Sequence, residues 1–98
     1  MATIEQRIYN GNRAKEILEN EVFQSVFEDI EQELFEAWKQ SPQRDAVARE
    51  KLHQYQTMLA RVKMHLTSTF ETGKLAELDL RHKQSLYDKA KEWISPNS

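Results

Sequence analysis

The stretch that decides the fold class reads Glu21-Val22-Phe23-Gln24-Ser25-Val26-Phe27-Glu28-Asp29-Ile30-Glu31-Gln32-Glu33-Leu34-Phe35-Glu36-Ala37-Trp38. Within it Phe23, Phe27, Ile30, Leu34 and Ala37 recur at alternating spacings of four and three. The same rhythm returns further on in Ala48, Leu52, Tyr55, Leu59, Val62, Leu66 and Thr69. A mean spacing of 3.5 keeps one narrow apolar stripe on one side of a helix, so the two stripes are predicted to close on each other.

Between them lies Ser41-Pro42, where the serine hydroxyl is suited to cap the next helix and the proline to occupy its first turn. So short a connection predicts an antiparallel helical hairpin over Glu21–Glu71. Charge agrees with this pairing. From Glu16 to Trp38 there are eight acidic residues and no Lys or Arg, whereas Arg44, Arg49, Lys51, Arg61 and Lys63 follow Pro42.

Working outward, Thr3-Ile4-Glu5-Gln6 has the form of a capping box and predicts a short helix at the N-terminus. Asn10-Gly11-Asn12 then reads as a turn, because Asn and Gly both tolerate positive φ. Helical character resumes from Arg13, and Asn20 is placed to cap the acidic helix. On the far side, Gly73 predicts a left-handed helix stop. A further helix is expected over 74–94, with Leu75, Leu78, Leu86, Ala90 and Trp93 on a looser stripe and a frayed end at Ser95-Pro96-Asn97-Ser98.

The expectation is therefore a single all-α domain over 1–98, with a hairpin core at 21–71 and peripheral segments at 1–20 and 74–94. Two Gly and two Pro in 98 residues give a many-stranded sheet little punctuation. With no cysteine there is no disulfide framework, thiolate metal site or cysteine nucleophile. No segment approaches the roughly 20 apolar residues of a membrane span, and residues 1–10 lack the apolar run of a secretory signal. A formal net charge of −2 gives no general attraction to nucleic acid or to an anionic membrane.

Motifs for chemistry are sparse. Glu50-Lys51-Leu52-His53 has the Glu-x-x-His spacing of di-iron bundles, but with Leu52 and Tyr55 in the seam its ligands point away from the bundle. Asp79 and His82 repeat the spacing. No metal site is expected, and the acidic run at Glu28, Asp29, Glu31, Glu33 and Glu36 lacks the loop of a calcium site. No Ser/His/Asp arrangement, Gly-rich phosphate loop or cofactor motif is placed by spacing, so neither catalytic residues nor cofactors are predicted. The reading is that the chain is not an enzyme.

Binding is the remaining class. Val22, Val26, Phe35 and Trp38 fall outside the strict stripe and need a second neighbour, either a peripheral helix of the same chain or another molecule. Phe35, Trp38 and Trp93 are the candidate partner-binding residues, since large aromatics are enriched at interfaces. Arg49, Lys51, Arg61 and Lys63 are the candidate anion-binding residues: Arg49 and Lys63 share one flank of the seam, and Lys51, Met58 and His65 line the other. The competing use of these cations is pairing with the acidic helix.

At Ala37-Trp38-Lys39-Gln40-Ser41-Pro42, then Asp45, Ala48-Arg49-Glu50-Lys51-Leu52, Arg61, His65-Leu66 and Gly73-Lys74-Leu75-Ala76, the sequence resembles a family of small helical proteins encoded by tailed bacteriophages. The likeness runs approximately from Arg13 to Leu80, and members of that family are generally of unassigned function. It implies a phage origin and a role in the cytoplasm of an infected bacterium, with the virion as the other location. No catalytic residue is carried over.

Three roles are expected in order. The first is a self-associating accessory protein that binds and modulates a host or defence component. The second is a virion or DNA-packaging structural protein, and the third an oligomer that sequesters a small anionic nucleotide.

Overall fold

In the computed structural model, residues 2–94 are described and the expected frayed end, 95–98, lies outside them. The chain is all-helical, with α1 at Ile4–Glu19, α2 at Glu21–Gln40 and α3 at Ala46–Ile94. The capping box is formed as expected: Thr3 Oγ1 accepts from the Gln6 amide at 3.1 Å, and Gln6 Oε1 accepts from the Thr3 amide at 3.0 Å. A single extended residue, Asn20, separates α1 from α2. Its side chain accepts from the Phe23 amide at 2.9 Å, which starts α2 at once.

Two expected breaks are absent. Asn10-Gly11-Asn12 lies inside α1, and Gly73 lies inside α3; neither glycine has a positive φ. The separate helix expected over 74–94 is the second half of α3, which runs for 49 residues. Both glycines are buried, and they touch each other. A Cβ built on Gly11 would sit 2.8 Å from the Gly73 Cα, and one on Gly73 would sit 2.7 Å from the Gly11 Cα and 2.8 Å from the Arg7 carbonyl oxygen. Packing outweighed the local turn preference here, since only a residue without a side chain permits this approach.

Gly11 also faces the Thr69 carbonyl, one turn before Gly73, just as Gly73 faces that of Arg7, one turn before Gly11. Three residues on from each glycine, Ala14 and Ala76 are also buried, at 3% and 4% exposure. The tightest packing in the molecule is thus a seam of small residues between α1 and the middle of α3.

The other break moved by a few residues. Ser41 belongs to the end of α2, where its hydroxyl donates to the Trp38 carbonyl at 2.6 Å. The cap of α3 is Asp45, whose Oδ1 accepts from the Ala48 amide at 3.1 Å. Pro42 therefore stands in the connecting turn and not in the first turn of α3.

Against the first half of α3, α2 packs loosely. Phe27 is buried, whereas Ile30, Tyr55 and Val62 of the expected seam are exposed, with Tyr55 at 58%. The molecule is elongated, 81 × 25 × 17 Å. Beyond Leu80 no other helix covers α3, and every described residue of 81–94 is exposed. No helix among the described residues is long and apolar enough to cross a membrane.

Candidate functional site: the open groove of α2 and α3

Phe27 anchors the site. It packs on Phe23 with ring centroids 5.4 Å apart at 40°, and the Lys63 ammonium lies 5.5 Å from its ring centre. Beside this contact lies a groove of about 750 Å³ walled by Leu34 and Phe35 of α2 and by Leu59, Ala60 and Met64 of α3. Its lining is mainly apolar, with Glu31 and Glu71 as the acidic positions. Phe35 falls one position and Met64 two positions off the 3.5-residue stripe, and no other helix among the described residues covers them.

At the far end, the Arg49 guanidinium lies over the Trp38 ring, 4.5 Å from its centre. The same group donates to the Ser41 carbonyl at 3.3 Å and to Ser41 Oγ at 3.4 Å. A planar cation on an indole face, tied to the turn, fixes the end of α2 against α3.

The four candidate anion-binding residues do not converge within one chain. Arg49 is engaged at Trp38, and Lys63 lies in the groove by Phe27. Arg61 borders a separate surface with Met58, Val62 and His65, while Lys51 is exposed. The cations of α3 nearest α2 thus meet aromatic faces. Among the described residues all four ion pairs are internal to α1 or α3, and the acids of α2 form none.

Among the candidate aromatics, Phe35 and Trp38 are 49% and 41% exposed on α2, and Trp93 is 88% exposed near the end of α3. Neither α1 nor the second half of α3 covers Val22, Val26, Phe35 or Trp38, all of which are exposed. Glu50 and His53 lie on an exposed helical face, and no group of three potential metal ligands gathers among the described residues.

Sequence reading missed Ala60, Met64, Ser68 and Glu71 as a surface. The signal was present as a second strip at spacings of four, four and three, displaced from the stripe that was read. Compared with family models, curated proteins and solved structures, the chain matches none.

Proposed function

We propose that this is a non-catalytic, phage-encoded accessory protein that self-associates and binds a host or defence protein, using the surface formed by Phe35, Trp38 and the groove beside them. The carrying observation is the imbalance between what is buried and what is not. Among the described residues only Ala14, Phe27 and Ala76 form the buried apolar core, while large apolar side chains from Tyr9 to Ile94 stand exposed. Contiguous exposed apolar surface on a soluble chain marks an interaction site.

The antiparallel hairpin of α2 with the first half of α3 belongs to this reading. Trp38 meets Arg49 and Phe27 meets Lys63, so contacts run in opposite sequence order along the two helices. A protein partner is favoured over a small anion because Arg49 and Lys63 already rest on aromatic rings, and Arg61 and Lys51 lie apart from them. The phage origin rests on the sequence resemblance alone.

The test is a pull-down from infected and uninfected bacterial lysates, comparing the wild-type chain with Phe35→Ala/Trp38→Ala. A specific partner that loses at least about tenfold in affinity with the double variant, whose helicity is unchanged, supports the assignment of the surface. An equally well retained partner would move the binding surface elsewhere.

A further inference from the structure

The exposed arm of α3, 81–94, and the empty groove of α2 and α3 are complementary in shape and charge. At 100° per residue, Leu75, Leu78, Leu86, Ala90 and Trp93 share one face of α3. Leu75, Leu78, Leu86 and Trp93 are all exposed. Followed toward the N-terminus, the same face becomes the α3 wall of the groove: Ala60, Met64, Thr67 and Glu71. One continuous strip therefore runs along α3, covered by α2 on one flank of its first half and by no other described residue in its second. The small-residue seam with α1 is on the other side of the helix, so α1 does not obstruct it.

This strip fits its own inverse. If a second α3 is laid antiparallel about a two-fold axis near Leu75 and Leu78, these leucines meet at the centre. Glu71 then faces His82, Thr67 faces Leu86, and small Ala60 faces Trp93. His82, Leu86 and Trp93 each meet a smaller residue, and the match is made twice, as a two-fold interface requires.

Charge agrees with the same register. The arm carries Arg81, Lys83, Lys89 and Lys91 against Asp88 and Glu92. The groove itself carries Glu31 of α2 and Glu71 of α3, neither of which has a cationic partner among the described residues. Stable interfaces bury roughly 1,200–2,000 Å² in total. Because the contact is duplicated, each arm of about 20 Å has to supply only half.

We propose that the occupant of the groove is the C-terminal arm of a second copy of this chain, giving an antiparallel dimer in which Trp93 of each copy enters the groove between Ala60, Met64 and Phe35 of the other. This rests on the reading of the protein as self-associating and specifies the surface and register. It also makes Trp93 an intersubunit anchor.

The chain has no cysteine of its own, so engineered pairs report the register directly. Met64→Cys and Lys89→Cys in one full-length chain lie about 37 Å apart along α3, well beyond disulfide reach. Any bond between them is intermolecular. Analytical ultracentrifugation of the wild type should give a dimer, and oxidation should lock the double-cysteine variant as a covalent dimer while leaving Met64→Cys alone uncoupled. Trp93→Ala should weaken the dimer at least about tenfold with helicity unchanged.

Self-association without the Met64–Lys89 cross-link, or with equal coupling of Met64→Cys alone, would overturn this register and leave the self-associating reading standing. A wild-type monomer throughout the micromolar range would overturn both the dimer and the self-association, leaving host-protein capture as a separate result.

Discussion

Gly11 and Gly73 sit where any side chain would hold α1 and α3 apart. Intrinsic propensity favours alanine over glycine inside a helix by about 1 kcal/mol, so propensity alone predicts that Gly73→Ala stabilises the protein. Packing predicts the opposite. The new methyl would meet two backbone atoms, Gly11 Cα and Arg7 O, which cannot rotate away as a side chain can. Overfilled sites cost about 1–3 kcal/mol, and the net expectation is a loss of about 1 kcal/mol, read as a fall of about 4–8 °C in melting temperature. A higher melting temperature for Gly73→Ala would mean that the helices are not in contact there. This pair also shows where sequence reading fell short. Asn10-Gly11-Asn12 has turn chemistry, but it is the matching of Gly11 and Ala14 with Gly73 and Ala76 at the same spacing that reveals a close helix crossing, and that match spans distant parts of the chain.

At the level of elements, the caps at Thr3 and Asn20 were legible because each is a local hydrogen bond between neighbours in sequence. The cap of α3 was displaced because Ser41 and Asp45 both have capping side chains, and only the geometry of the turn separates them. The length of α3 had a plain sign that the glycine obscured: no proline stands between Pro42 and Pro96. A helix can run through a glycine at a cost of about 1 kcal/mol, far less than the roughly 3 kcal/mol of a proline. Thr3→Ala should remove the capping box and about 1 kcal/mol from the start of α1. Hydrogen exchange is expected to quicken at the amides of the first turn while those around Gly11 and Ala14 change little. Uniform acceleration across α1 would mean that the helix is held by its cap and not by the seam. The groove was the least legible element, since its walls come from two helices and depend on how they are placed against each other.

For the molecule as a whole, the radius of gyration over Cα atoms is 22.3 Å, against about 13 Å for a compact domain of this length. Small-angle scattering should return a value well above the compact one, whether the chain is single or paired, and a value near 13 Å would contradict a continuous α3. With so little apolar surface buried within one chain, folding and association are expected to be linked. The melting temperature should therefore rise with protein concentration, and a melting temperature constant over a hundredfold range would argue for a self-sufficient monomer. The contact of Gly11 with Gly73 also has a consequence in time. Roughly sixty residues separate the two, so the loop that joins them closes only after most of the chain exists. During synthesis at about 5–20 residues per second, α1 is made before the middle of α3 and waits roughly 3–12 s for this neighbour to be made. For that interval the face of α1 that carries Gly11 and Ala14 stands without α3, which can close on it only once Gly73 has been translated.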